Sequence, residues 1–460
     1  MFRGLVFAVA LWGCSSPPKK PPGKPVVAGD VDPDGPHREA IAAQVKPYLD
    51  GELVTGLVIG IYDAGKLEIY GFGAGPGGKP PNGHTLFELG SITGVYTNLM
   101  LADSVQKREV EIDAPVTELL PPGVTVPTAN KVAITLKHLA LHSSGLPHNP
   151  PSLLARKMPP DPYASYGEDA LFQDLIATQL DAPPGTQIAQ SDYGTGLLGY
   201  ALGRKIGGGF AKAVEARVLV PLGLRETFVN VPAGFGARRA LGTDEDLKQT
   251  SRWTWGALAG AGILSSTVRD QLKLIDAELD AAAGSRGTLR GPMRYSQETE
   301  LDTAGENAGL GWTIDSAGRY FHAGLTGGFR GFVGFDPKTK RGVVVLASTS
   351  TTLIDSLARS MFDVLDGTVK PAAALPTEAR LATYAGLYDF GGAKLTIVVQ
   401  GKRIYVEGPG EPRHRLAPIN DRTFWIEAVQ TAARFEIEGD VIKALVFKVG
   451  DRVIAAPRVP

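Results

Sequence analysis

Apolar positions along this chain follow one set of rhythms up to about residue 370 and another beyond it. Ile41, Ala42, Val45 and Tyr48 recur at helical spacing and predict a helix over 37–49. A continuous apolar run over 54–62 reads as a buried strand. Residues 66–72 read as its hairpin partner across Asp63, Ala64 and Gly65. A short apolar approach over 87–90 ends at Gly90, and from Ser91 the pattern turns helical through Met100, Leu101 and Val105. Further helical runs cover 170–179 and 210–218, and another starts near Val268, where Thr267 or Ser266 is the expected cap. Strands are expected from Gly311, over 319–322, 331–336 and 342–348, with a closing helix over 353–365. An alanine-proline stretch at 372–376 then marks a boundary. Beyond it come short strands at 384–388, 394–399, 403–407, 423–427, 433–437 and 442–449. Glycine-bearing turns separate them, which predicts a small antiparallel barrel or sandwich.

Composition narrows the picture only in places. At 460 residues the chain is long enough for a large core and more than one domain. The balance of 47 basic and 48 acidic residues gives no reason to expect nucleic acid. A single cysteine excludes an intrachain disulfide framework. That cysteine, Cys14, ends a short basic start and an apolar run too short to span a bilayer. The order Leu11, Trp12, Gly13, Cys14 resembles a bacterial lipoprotein cleavage box, which implies lipidation of Cys14. Residues 15–36 are proline-rich and suit an extended tether. The expectation is an exported, lipid-anchored protein facing the periplasm, with the outer membrane as the candidate surface.

Ser91 is the candidate for chemistry. Gly90 allows a tight turn, and Ser91 stands near a helix N-terminus, where free N–H groups and the dipole favour negative charge. A nucleophile and a simple helix cap both fit that window. The segment 87–93, FELGSIT, resembles the nucleophile motif of the serine hydrolases related to class C β-lactamases and penicillin-binding proteins. That motif runs serine, two residues, lysine; here the fourth place is Gly94. The family's second motif is tyrosine, serine, asparagine; the register of Gly196, Leu197, Leu198 and Gly199 puts Gln190, Ser191 and Asp192 there. The third motif is carried by His322 and Gly324, followed by Leu325. The segments at 134–147, 221–224 and 260–270 match in order, and Tyr384, Gly386 and Tyr388 resemble the start of an appended lipocalin-like domain.

The resemblance implies an α/β (α+β) β-lactamase/penicillin-binding-protein fold over 37–370, with an antiparallel sheet flanked by helices. A linker at 371–376 would lead to a small β domain over 377–460. It implies an oxyanion hole from the backbone N–H groups of Ser91 and Leu325. A serine nucleophile needs a base and its leaving group an acid. Gly94 has no side chain and Gln190 is an amide, so two proton-handling groups are absent together. The expectation is a weakly active or inactive homologue of the cell envelope. One alternative is an active hydrolase acylated on Ser91 with His322 or Asp192 as substitute base. Another is a non-catalytic envelope binding protein. A small-molecule or peptidoglycan-like ligand is expected in a pocket formed by Gly94, Gln190, Ser191, Gly324 and Leu325. His138 and His142 stand four apart on one expected helix, but no third ligand accompanies them, so neither metal nor cofactor is expected.

Overall fold

The computed structural model describes residues 32, 34–154, 159–284, 287–298, 301–302, 307–449 and 452–459. Cys14, its flanking export segment and the tether up to residue 31 lie outside them. The larger part is an antiparallel sheet between helical layers. Its strands are β1 (Gly56–Asp63), β2 (Lys66–Gly73), β3 (Leu301–Asp302), β4 (Asn307–Gly309), β5 (Trp312–Ile314), β6 (Tyr320–Leu325), β7 (Arg330–Asp336) and β8 (Arg341–Ala347). They lie side by side in the order β2-β1-β8-β7-β6-β5-β4-β3. The first hairpin therefore pairs with the end of the domain, Leu57 facing Ala347 and Asp63 facing Arg341.

Both faces of this sheet are covered, which is why β1 is a continuous apolar run rather than an alternating one. Leu57, Ile59, Ile61, Val343 and Val345 pack with helices α1 (Arg38–Asp50) and α6 (Leu353–Leu365). Val58, Val344 and Leu346 join the larger core on the opposite face. There α5 (Val268–Ala282) lies directly on the strands: a Cβ on Gly60 would sit 2.6 Å from Val268, and one on Gly342 would sit 2.3 Å from Ile275. The larger core is centred on α2 (Thr93–Gln106), buried at every position from Thr93 to Ser104. A helix enclosed on all sides needs apolar residues around its whole circumference. Each fully buried Leu or Ile there contributes about 1.5–3 kcal/mol. Among the described residues no helix is long and apolar enough to cross a membrane.

Among the described residues the C-terminal region is all-β apart from one α-helix, α7 (Glu378–Tyr384), and a 3₁₀ turn, Glu427–Val429. A four-stranded sheet runs β9 (Gly386–Phe390), β10 (Ala393–Gln400), β11 (Arg403–Glu407) and β12 (His414–Arg415). A five-stranded sheet runs β13 (Ala417–Pro418), β14 (Thr423–Ile426), β15 (Thr431–Glu438), β16 (Val441–Val449) and β17 (Arg452–Pro457). Tyr388, Ile397, Ile404, Phe424, Phe435 and Leu445 form their own core. Tyr384, expected to open a strand, instead ends α7. Thr377 caps that helix by accepting from Arg380 N at 3.2 Å, and the Tyr384 ring stacks on Phe435 at 4.0 Å.

Two other expectations change in detail. The run 210–218 is helical only to Val214 and continues as a π-type turn, Glu215–Leu219. His138 and His142 do not share a helix, because α3 (Leu136–Ala140) ends before His142, which adopts φ 54°. His138 closes the start of α3 through reciprocal bonds with Thr135.

Candidate functional site

Ser91 lies in a single 3₁₀ turn, Gly90–Ile92, that leads straight into α2. The turn presses against β6. Gly90 adopts φ +53°, and a Cβ there would sit 2.7 Å from Leu325 N. A Cβ on Gly324 would sit 2.0 Å from Leu89 O and 2.9 Å from Ser91 N. Backbone therefore meets backbone at this crossing, which brings the N–H groups of Ser91 and Leu325 into one small patch.

Helix α4 (Asp192–Ile206) delivers the second group of residues. Ser191 is its cap: its hydroxyl accepts from Gly194 N at 2.9 Å and donates to Pro147 O at 2.7 Å. Asp192 is thereby fixed in the first turn, and the Ser91 hydroxyl donates to its Oδ1 at 3.3 Å. Burial pushes the Asp192 carboxyl above the usual range, while His148 and the Ser91 hydroxyl pull it back. The His148 Nε2 lies 3.8 Å from Asp192 Oδ2, and its Nδ1 donates to Gln190 O at 3.1 Å. The Gln190 side chain stands exposed in the cleft wall.

Gly94 sits in the first turn of α2 with its carbonyl accepting from Asn98 Nδ2 at 2.9 Å. A Cβ added there would meet only Thr195 of α4, at 3.4 Å. No amine reaches Ser91 from this position. His322 is on β6, in the cleft, but its ring is committed to backbone. Nδ1 lies 3.0 Å from Gly311 O, and a carbonyl can only accept, so Nδ1 carries the proton. Burial outweighs that bond and pushes the ring down to about 4, so it is neutral near pH 7. His142 is also tied to backbone, but as an acceptor, its Nδ1 taking a bond from Ser191 N at 3.1 Å, and burial with the neighbouring histidines pushes it down to about 4. Of the two candidate bases, Asp192 is the one that hydrogen-bonds the Ser91 hydroxyl.

The cleft around Ser91 has a volume of about 470 Å³. Aromatic walls come from Tyr163, Trp253, Trp312 and Phe321. Arg330 grips Asp355 of α6 with two bonds, Nε to Oδ1 at 2.7 Å and Nη2 to Oδ2. The Arg359 guanidinium lies 3.9 Å over the Phe321 ring. Gln430, from the C-terminal region, completes the wall. Sequence reasoning passed over His148, Arg330, Asp355, Arg359 and Gln430. Arg330 follows the third motif closely enough to have been flagged, whereas nothing local marks Gln430. Among the described residues no three His, Cys, Asp or Glu side chains converge as metal ligands.

Known proteins resemble this chain in sequence. A family model described as Beta-lactamase matches residues 41–365, from within α1 to the end of α6. A beta-lactamase of Escherichia coli (strain K12) is 26% identical over 341 residues, which are 66% of this chain and 86% of that protein. The D-alanyl-D-alanine-carboxypeptidase/endopeptidase AmpH of the same organism is 25% identical over 317 residues, 65% of this chain and 81% of AmpH. A beta-lactamase of Pseudomonas fluorescens is 25% identical over 281 residues, 60% of this chain and 74% of that protein. With the family match running unbroken through the nucleophile turn, α4 and β6, the chain belongs to the beta-lactamase family, the serine hydrolases related to class C β-lactamases and penicillin-binding proteins.

Proposed function

We propose that this protein is a cell-envelope member of its family whose cleft admits β-lactams and D-alanyl-D-alanine-type peptides but acylates Ser91 slowly. The observation that carries this reading is the 3.3 Å bond from Ser91 to Asp192, with Gly94 supplying no amine beside it. As the Ser91 oxygen bonds to the carbonyl carbon, Asp192 takes the hydroxyl proton. The carbonyl oxygen gains negative charge facing the N–H groups of Ser91 and Leu325. The same proton is then returned to the departing amine. A buried carboxyl with a raised pKa is a base only in the fraction that is ionised, so acylation rises with pH through that raised value. The peptide class rests on the relative named for D-alanyl-D-alanine.

The test is the rate of covalent labelling by a fluorophosphonate or a chromogenic cephalosporin, followed by mass spectrometry. Wild type should label slowly, Ser91→Ala not at all, and Asp192→Asn about 100-fold more slowly than wild type. A brisk wild-type rate that Asp192→Asn leaves unchanged would overturn the reading. An absence of labelling that coexists with measurable binding of a D-alanyl-D-alanine peptide would favour a binding protein instead.

Anchoring belongs to the same reading and rests on Gly13 and Cys14 ahead of the proline-rich tether. Cys14→Ser should move the exported protein from the membrane to the soluble periplasmic fraction, because the acyl chains have no attachment point. Unchanged fractionation of that variant would count against a lipid anchor.

A further inference from the structure

A second cavity, of about 280 Å³, shares no lining residue with the Ser91 cleft. Glu88, Arg239, Gln249, Thr250, Arg252 and Ser265 supply its polar lining. Three buried polar atoms of that lining lack a partner among the described residues. Ser265 is only 2% exposed, and its hydroxyl has no hydrogen bond among the described residues. The same holds for the Thr250 hydroxyl and for Arg252 Nε, although Arg252 Nη2 donates to Val229 O at 2.9 Å. A buried donor left without a partner is costly, so three around one cavity mark a place built to be filled.

Charge points the same way. Arg239 stands close enough to disfavour the charge on Arg252, which burial also opposes; Glu88 and, from outside the lining, Asp161 offset this. Glu88 is the one carboxylate among the lining residues. Burial pushes it up to about 7, so it is only part-ionised at neutral pH. Within the lining, two arginines are thus set against a single carboxyl whose charge burial disfavours.

We propose that this cavity binds a small tetrahedral oxyanion of the phosphate type, held by Arg239, Arg252, Thr250 and Ser265. A planar carboxylate satisfies one guanidinium fork. Two guanidinium groups and two hydroxyls from three separate segments, 239, 250–252 and 265, call for more acceptor oxygens and a second negative charge. The ligand is free phosphate or the head of a phosphomonoester, which present the same oxygens. The site lies against the nucleophile strand, since Glu88 pairs with Ser265 in a short ladder and Ser91 follows three residues later.

The test is calorimetric titration of the full chain with inorganic phosphate, then with glycerol phosphate, at ionic strength held constant with chloride. Saturable binding at one site is expected, and acetate should not saturate. Arg239→Gln should weaken phosphate binding about tenfold or more, since a charge-assisted bond is worth about 1.5–3 kcal/mol. Ser265→Ala, which removes one hydroxyl, should weaken it less. Ser91→Ala and Arg359→Gln should bind phosphate as wild type does, so the outcome is independent of chemistry in the cleft. Phosphate saturating with glycerol phosphate excluded would identify the free ion as ligand; both binding would identify the phosphomonoester class. An absence of saturation, equal saturation by acetate, binding that survives both Arg239→Gln and Ser265→Ala, or loss in Arg359→Gln would each overturn the proposal.

Discussion

Two positions decide how Ser91 behaves, and both are defined by what they lack. Gly94 offers no amine and Gln190 no titratable group, so the serine keeps its proton unless Asp192 takes it. Restoring Gly94→Lys alone should raise labelling little, and an unpaired ammonium in this pocket would lower stability. Gly94→Lys with Gln190→Tyr should accelerate labelling by more than the product of the two single effects, because such groups act as a unit. Multiplicative or smaller gains in the labelling rate would show that proton transfer is not what limits the wild type. The resemblance to the family motifs, in register at Ser91 and again at 196–199, made these absences legible in the sequence. The fate of His322 was not legible, since its commitment to Gly311 O depends on a strand crossing over a turn eleven residues earlier. His148 was hidden for a similar reason: its approach to Asp192 exists only once α4 is capped against the 147–148 segment.

Elements with strong periodicity came through with their ends nearly intact. The closing helix was expected over 353–365 and is found as Leu353–Leu365. Short pieces did not come through: the two-residue strand Phe87–Glu88 and the three-residue β4 are made by pairing, which no local pattern records. Helix α5 carries a feature that periodicity would call an error, a fully buried carboxylate at Glu278. Its Oε2 accepts from Gln297 Nε2 at 2.5 Å, whereas its Oε1 has no hydrogen bond among the described residues. Burial raises this carboxyl to about 8. Below the ordinary glutamate value both folded and unfolded chains hold the proton. As pH rises towards about 8 only the unfolded chain releases it, so folding stability is lost by up to about 1.4 kcal/mol per pH unit. Glu278→Gln cannot ionise, so its melting temperature should stay flatter than that of wild type between about pH 5 and pH 8. Parallel melting curves for the two proteins across that window would mean that Glu278 is not held protonated.

At the scale of the whole molecule, the C-terminal strands have a core of their own but are tied down by charged groups. Arg415 is 2% exposed, and its guanidinium donates to Gly51 O at 3.0 Å, Glu52 O at 3.1 Å and Glu245 O. Arg403 adds an ion pair with Glu52 at 2.7 Å, and Tyr405 donates to Asp246 at 2.9 Å. Glu427 accepts from Thr352 N at 2.9 Å at the start of α6, three residues before Gln430 enters the cleft wall. The change of rhythm after residue 370 made the separate core legible, whereas this docking, spread over residues 51–52, 245–246 and 351–352, leaves no local trace. Arg415→Met removes every one of the guanidinium donors and strands buried carbonyls, a loss of about 3 kcal/mol or more. The self-contained core around Tyr388 and Phe435 should survive it. Scanning calorimetry should therefore show the wild-type transition divide into two in Arg415→Met, the second belonging to a C-terminal region released from its partner surface. Labelling of Ser91 should change with it, because the wall that Gln430 completes is no longer held in place. A single transition at the wild-type temperature would show that Arg403, Tyr405 and Glu427 hold the two parts together without Arg415.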